Sequence, residues 1–267
     1  MSAIQSDPVA LVEAVERAGR LPAIPTHDWC EQAAHVVSGA LLPEGKPGLV
    51  IVGVGRAGPG PLVDSTGVCV QSQRQGAELV RAECAGVASL PVASPTSEHP
   101  LQVHVGNAVA GLAQWRSSTL ARWMTSRGMS AFLIGAGLLA DAAPDRVMWF
   151  LGAAEEGTAY IGDTMFVMVL LLAILRRARL ALGNVGSNEA EWISPREQEI
   201  LGQLVLGKSV RQIAEESGRS PHTVHDHVKS LHKKLDATSR GELIARTLGH
   251  VPKSLRIRDG ARNGRRA

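Results

Sequence analysis

Four helix-start signals between residues 194 and 242 constrain the fold of this chain more than any other feature. A serine opens each of four helical patterns, and a Glu or Gln follows three positions later in three of them. Such a serine accepts a hydrogen bond from the helix backbone, and the later Glu or Gln completes a capping box. Gly207 and Gly218 end the first two patterns. We therefore predict four short helices between Ile193 and Leu248, capped by Ser194, Ser209, Ser220 and Ser239.

Each of these patterns has apolar residues on one side only, at the spacing of an amphipathic helix. The four apolar sides are expected to meet in one small bundle, with Gly218 in the tight turn of a helix-turn-helix. The residues predicted to face inward are Ile200, Leu201, Leu204 and Val205, then Val210, Ile213 and Ala214, then Val224, Val228, Leu231 and Leu235, and finally Leu243, Ile244 and Leu248.

The third helix carries polar side chains on the side opposite its apolar stripe. This outer side offers hydrogen-bond donors, positive charge and little bulk, and a helix of this diameter fits the major groove of DNA. A solvated helix surface without a partner is the alternative interpretation. The outer residues are His222, His225, Asp226, Lys229, His232 and Lys233.

The whole segment resembles the LuxR-type (FixJ/NarL-like) helix-turn-helix family. The matching motifs are S-P-R-E at 194–197, Gly207, Ile213-Ala214, S-P-x-T-V at 220–224, His227-Val228, Lys234-Leu235 and Ser239-Arg240, and their spacing has no gaps. The resemblance implies a sequence-specific, DNA-binding transcriptional regulator that acts on double-stranded DNA in the cytoplasm.

The same resemblance implies roles for individual residues. His225, Asp226 and Lys229 occupy the positions that face the bases in that family, although the family often has lysine where His225 stands. Residues matching positions that touch phosphate are Thr223, Arg211, Lys208 and Lys233, and His222 lies on the same outer side as the base-facing set.

Residues 26–184 predict an α+β domain, which resembles a GAF-type or PAS-type sensory domain in the order of its elements. We expect an antiparallel sheet with helices on its faces, preceded by an N-terminal helical arm at 1–25. A polar, glycine-rich linker at 185–192 would lead to the helix-turn-helix domain at 193–249, and a basic tail follows at 250–267. The predicted strands or apolar segments are 49–54, 66–70, 101–105, 131–139 and 146–153, and the predicted helices are 8–18, 27–40, 73–87, one from Asn107 towards Thr125, and 163–182.

Gly53, Gly55 and Gly58 form a G-x-G-x-x-G pattern directly after a strand-like run. In dinucleotide-binding proteins a helix opens at the third glycine, so that its N-terminus meets the pyrophosphate. Here Pro59, Gly60 and Pro61 follow, which cannot continue a helix. We therefore favour a wide hairpin loop over a dinucleotide site.

Charge is distributed unevenly along the chain. Residues 187–267 hold 15 Lys and Arg against 10 Asp and Glu, whereas residues 1–186 hold 13 against 15. A basic C-terminal third is consistent with a polyanionic partner. The apolar run from Met165 to Leu175 is too short for a membrane span, and the N-terminus does not have the pattern of a signal peptide.

Several expectations concern what controls the chain. No acidic pair marks a phosphorylated receiver domain, and the scattered Cys and His residues lack metal-ligand spacing, so we expect neither a metal nor a cofactor. No catalytic constellation can be singled out, so we expect no enzymatic activity. The helix at 163–182 suggests a homodimer seam, and Trp115, Trp123 and Trp149 are candidates to line a small-molecule pocket. The alternative function is an adaptor for the transcription machinery that binds RNA polymerase, or, less favoured, an enzyme domain coupled to a DNA-binding module.

Overall fold

The computed structural model describes residues 8–42, 48–56, 63–71, 95–105, 119–140, 143–155, 163–183 and 191–250. The helix predicted at 73–87, the Asn107 cap, Gly58, Trp115, most of the linker and nearly all of the basic tail lie outside the described residues.

Five strands form one sheet in the N-terminal region. They are β1 (Gly48–Arg56), β2 (Val63–Gln71), β3 (Leu101–Val105), β4 (Met129–Ala140) and β5 (Ala143–Glu155). Their order across the sheet is β2-β1-β5-β4-β3, and every pairing is antiparallel. The predicted fold class, an antiparallel sheet with helices followed by a helical domain, is confirmed.

Among the described residues, four helices accompany the sheet: α1 (Pro8–Gly19), α2 (Trp29–Leu41), α3 (Thr119–Thr125) and α4 (Thr164–Leu182). Helix α2 packs on β1 and β2, α4 packs on β3 and β4, and α1 packs against both α2 and α4. Asp163 caps α4 by accepting a hydrogen bond from the Phe166 backbone at 3.1 Å. None of the described helices is both long and apolar enough to cross a membrane.

Both faces of the sheet are buried. Side chains alternate along a strand, and Val50, Val52 and Phe150 belong to the core that α2 and α4 cover. The intervening Leu49, Ile51 and Leu151 point to the other face and are also buried. A sheet covered on both faces accounts for the nearly continuous apolar runs that the sequence shows.

The glycine pattern in β1 serves packing rather than a dinucleotide. Gly53 and Gly55 lie within β1, whose two neighbours are both antiparallel, whereas a dinucleotide fold needs parallel strands. A Cβ on Gly53 would lie 2.1 Å from the ring of Trp149, its partner on β5. The glycine therefore makes room for the indole.

The C-terminal residues form the four expected helices: α5 (Pro195–Val205), α6 (Val210–Ser217), α7 (Pro221–Lys234) and α8 (Arg240–Thr247). All four predicted serine caps accept a backbone hydrogen bond, and the first two are complete capping boxes. The prediction that Leu248 faces inward is wrong, because it follows the last turn of α8 and is 48% exposed.

A buried ion pair holds α7 against α5. The carboxylate of Glu197, near the start of α5, accepts hydrogen bonds from Lys234 Nζ at 2.7 Å and Ser230 Oγ at 2.6 Å. The Ser194 backbone donates a third at 2.8 Å. Burial alone would raise the pKa of Glu197, but these hydrogen bonds outweigh it and hold the pKa at about 2.

Because this pKa lies below the ordinary value of 4.5, the ionised carboxylate stabilises the folded state above about pH 4.5. That contribution is lost as the pH falls from 4.5 towards 2. We expect Glu197→Gln to lower the free energy of unfolding at pH 7 by about 3 kcal/mol, because it leaves the Lys234 ammonium without its carboxylate. Chemical denaturation followed by helical circular dichroism measures this.

Glu199→Gln is the matched control, since Glu199 lies on the same helix and forms an exposed pair with Arg196. It should change the free energy of unfolding by no more than about 0.5 kcal/mol. The decrease in the free energy of unfolding as the pH falls from 4.5 towards 2 should become smaller only in the Glu197 variant. Equal losses in both variants would contradict the assignment of the buried pair.

Candidate nucleic-acid interface

Helix α7 is the element on which most of the predicted site residues lie. Gly218 ends α6 in the left-handed conformation, with φ 64° and ψ 30°, which a residue without a Cβ adopts freely. Ser220 then accepts a hydrogen bond from the Thr223 backbone at 3.0 Å, and Pro221 occupies the first turn of α7. The tight turn and the cap together fix where α7 begins.

The inner side of α7 is fixed by packing. Val224 and Leu231 are fully buried in a core shared with α5 and α6. Lys234 adds a polar anchor at the other end, because its ammonium donates both to Glu197 and to the Trp192 carbonyl at 2.8 Å. The helix therefore cannot rotate about its axis without losing buried contacts.

The outer side of α7 presents the predicted residues to solvent. All the base-facing candidates are exposed, and so are three further residues of the predicted set. Neither Lys229 nor Lys233 forms an ion pair with a described residue. The exposed residues are His222, Thr223, His225, Asp226, Lys229 and Lys233.

Acidic neighbours pair with some of the other candidates. His222 Nε2 lies 3.7 Å from the Asp226 carboxylate one turn later. Arg211 Nε lies 3.0 Å from Glu215, and Lys208 forms an ion pair with Glu216. These pairs are exposed, so each contributes little to stability and can be exchanged for another anion. The Thr223 hydroxyl is 2.8 Å from that of Ser220.

The structure places His232 differently from the prediction. It is half-buried, and its Nδ1 lies 2.8 Å from the carbonyl oxygen of Ala237. The chain turns back after α7 through Asp236, whose φ is 52°, and this brings the carbonyl to the ring. His232 therefore belongs to the end of the helix and not to its outer side.

The sequence did not predict that Ser230 and Lys234 hold α7 in place by donating hydrogen bonds to Glu197. Lys234 follows the buried Leu231 by three positions, so helical spacing alone indicates an inward-leaning lysine. No spacing rule, however, identifies Glu197 as its partner 37 residues away. Among the described residues, no group of three or more His, Cys, Asp or Glu could hold a metal ion.

The arrangement offers a polar helix face of fixed orientation. Its N-terminal half carries imidazole, hydroxyl and carboxylate groups, and the two lysines without ion pairs follow. Such groups can donate to and accept from base edges, while lysines and backbone amides contact phosphates.

Comparison with known proteins identifies this helical unit. Residues 191–247 match the family model described as bacterial regulatory proteins, luxR family. Transcriptional regulatory protein MctR of Rhizobium johnstonii is 28% identical over 113 residues, which cover 42% of this chain and 47% of MctR. The probable HTH-type transcriptional regulator GfsR of Streptomyces halstedii is 38% identical over 71 residues, which cover 26% of this chain and 29% of GfsR. The chain thus spans less than half the length of either relative.

A solved structure of Escherichia coli SdiA matches 90% of this chain and 98% of its own, with 18% identity and a TM-score of 0.39. The family match, by contrast, coincides with the four capped helices and with the buried pair that orients α7. Residues 191–247 are a helix-turn-helix domain of the luxR family of bacterial regulatory proteins.

Proposed function

We propose that this chain is a dimeric transcriptional regulator that reads DNA sequence with α7 and is controlled by its N-terminal domain. The observation that carries the proposal is the exposed polar side of α7, which the buried Glu197–Lys234 pair holds in one orientation. The names of the two relatives, both transcriptional regulators, support it. A DNA partner implies action in the cytoplasm, and no enzymatic activity is proposed.

The proposed contacts follow from position on the helix. His225, Asp226 and Lys229 would meet base edges in the major groove, with His222 beside them. Four residues would contact phosphates and thereby set the register of the helix. Two of these four, Lys208 and Arg211, now pair with acidic side chains, which DNA phosphates would replace. The phosphate-contacting residues are Thr223, Arg211, Lys208 and Lys233.

The domain boundaries of the proposal are those expected from the sequence. Residues 26–184 would sense a signal and dimerise, and residues 193–249 would bind DNA. Residues 185–192 would link the two, after an N-terminal arm at 1–25. The basic tail at 250–267 would add contacts to phosphate that do not depend on sequence.

The DNA contacts predict different outcomes for two lysines of α7. Lys229→Ala should lower specific affinity by roughly 1–3 kcal/mol or relax the selected motif, because a base contact is lost. Lys233→Ala should weaken binding to all sequences and lower the salt slope by about 1. Selection from a random duplex pool, followed by titrations at several salt concentrations, measures both.

Arg196→Ala is the control, since Arg196 is exposed on α5 and pairs with Glu199. It should leave the motif and the affinity unchanged. An unaltered motif with the Lys229 variant would remove that residue from base reading. Binding to RNA polymerase without any enriched DNA would favour the adaptor function instead.

Dimerisation is proposed through the exposed side of α4. Met165, Leu172 and Leu180 are 68%, 43% and 41% exposed, although the opposite side of the helix is fully buried. With Val169 and Arg176 they form one stripe at spacings of three and four residues. A second copy is the proposed occupant, because two helix-turn-helix domains held by a symmetric seam would match paired DNA half-sites roughly 34 Å apart.

Helix α1, which packs against α4, also exposes apolar side chains. Val9 and Val12 are 65% and 59% exposed on α1. The acidic residues of α1 pair along the helix, Glu13 with Arg17 and Glu16 with Arg20, each at 3.7 Å. The apolar side chains are therefore the part of α1 that a second copy would cover.

The seam predicts that Leu172→Glu converts the protein from a dimer to a monomer, because a symmetric interface would bring two buried carboxylates together. Light scattering after size exclusion should give twice the 28.2 kDa chain mass for the natural protein and the single mass for the variant. Leu206→Glu is the matched control, since Leu206 is 72% exposed in the helix-turn-helix domain. A monomeric natural protein, or a dimeric Leu172 variant, would contradict the seam.

A small-molecule signal is proposed at the sheet face that carries Trp149. The indole is 6% exposed, and its N–H donates to no atom of the described residues. A buried donor without an acceptor is unfavourable, and a ligand oxygen beside it would satisfy the donor. Trp123, by contrast, is half-buried beneath the Arg127 guanidinium, 4.3 Å from its ring, and is not part of this proposed site.

A further inference from the structure

Within the connection between α1 and α2, the seven residues Leu21–His27 form a largely buried segment that we call the strap. Five of the seven are buried, although the segment has no regular secondary structure of its own. Buried irregular backbone requires partners for its polar groups. Those partners come from both halves of the molecule.

Each half of the molecule contributes one large apolar side chain to the other. Ile24, from the strap, is 5% exposed and lies in the core of the helix-turn-helix domain with Ile193, Ile200 and Leu204. In return, Trp192 is 6% exposed and belongs to the core between the sheet and its helices. Separating the two domains would therefore expose both side chains to water.

Backbone hydrogen bonds reinforce this exchange. Thr26 and Ile193 form a parallel β-bridge, in which the His27 N–H donates to the Ile193 carbonyl at 3.0 Å. The Ile193 N–H donates to the Pro25 carbonyl at 2.7 Å. The preceding carbonyl, that of Trp192, accepts from Lys234 at the end of α7. A chain of direct contacts thus joins the strap to the DNA-reading helix.

The strap is also fastened to the N-terminal domain. The Trp29 indole donates to the Pro22 carbonyl at 2.9 Å, and the Arg177 guanidinium of α4 donates to the Leu21 carbonyl. Pro22 and Pro25 each fix one backbone dihedral, which limits the conformations the strap can adopt. The strap therefore behaves as a stiff connection.

The end of the helix-turn-helix domain closes on the strap from the other side. Gly249, just after α8, has φ 81°, and a Cβ there would lie 2.9 Å from the Ala23 Cβ and 3.0 Å from Arg177. Only a glycine permits this approach. The strap is consequently held between α4, α8 and the residues that precede α5.

We propose that the strap couples the two domains mechanically, so that a change in the N-terminal domain is transmitted through Ile24 and Ile193 to the orientation of α7. The biological meaning of this coupling rests on the proposed function. The coupling itself is a property of the free chain and can be tested without DNA or a signal molecule.

The test compares two glycines with similar left-handed conformations in the full-length chain. Gly249→Ala adds a methyl group against the strap, whereas Gly207, with φ 89°, has no atom within 4 Å of its added methyl. Both variants bear similar backbone strain, so they differ in what the added methyl group meets: Ala23 of the strap and the Arg177 guanidinium in the Gly249 variant, and no atom in the Gly207 variant. Amide hydrogen exchange should become about tenfold faster or more at residues 21–27 and 191–194 in the Gly249 variant alone.

The overall dimensions of the molecule supply a second measurement. If the strap fixes the relative orientation of the domains, the radius of gyration from small-angle scattering should rise in the Gly249 variant and stay unchanged in the Gly207 variant. Unchanged exchange and dimensions in both variants would overturn the proposal. Faster exchange at 21–27 with full protection at 191–194 would also overturn it.

A second pair of variants distinguishes local loosening of the strap from unfolding of the whole domain. Ile24→Ala should loosen the same two segments while residues 213–217 of α6 remain protected. Thr26→Val should leave exchange unchanged, because it keeps the shape of a buried side chain whose hydroxyl forms no hydrogen bond with a described residue. Wild-type exchange at 191–194 in the Ile24 variant would overturn the proposal. Failure of the DNA selection described above would leave these results interpretable.

Discussion

The buried pair between Glu197 and Lys234 is the interaction on which the C-terminal domain depends. Its two ends lie on α5 and α7, and the Glu197 side chain is 5% exposed. Three hydrogen bonds, one of them from the Lys234 ammonium, satisfy the carboxylate, so its charge is stable in a position where an isolated charge would be very unfavourable. An apolar core alone tolerates small rotations of a helix, whereas a bonded ion pair fixes one arrangement. The polar side of α7 therefore faces solvent in one defined direction.

The same lysine extends this constraint beyond the domain. Lys234 also bonds the Trp192 carbonyl, and the next residue, Ile193, pairs with Thr26 of the strap. Because Trp192 and Ile24 each lie in the core of the opposite half, the junction between the halves is packed and not merely covalent. With the halves packed in this way, α7 and the N-terminal domain are joined by direct contacts.

The sheet shows a comparable dependence on one close contact. Gly53 pairs with Trp149 between β1 and β5, and the indole occupies the space that a Cβ on Gly53 would need. In the sequence, Gly53, Gly55 and Gly58 form a pattern that is typical of a dinucleotide site. The antiparallel neighbours of β1 exclude that architecture. A glycine motif indicates only that some other group lies close to the backbone. In this protein that group is the aromatic ring of Trp149.

The sequence by itself predicted the elements whose causes are local. Caps, turn glycines and apolar periodicity act within a few residues, so they identified α5 to α8, the serine caps and the inward side of α7. Strand positions and the hairpin of β1 and β2 followed from the same local patterns. Leu248 was misplaced because helical spacing stops applying where a helix ends, and His232 because the chain turns back after α7 and brings the Ala237 carbonyl to its ring.

Only the tertiary structure decided which residues meet across long separations. The Glu197–Lys234 pair, the strap against Ile193, and the indole over Gly53 each join segments that no spacing rule relates. They arise because packed surfaces leave few voids and because a buried charge or backbone polar group is stabilised by a partner. Local sequence determined what each segment forms, and the packing of distant segments determined how α7 is oriented and what it is connected to.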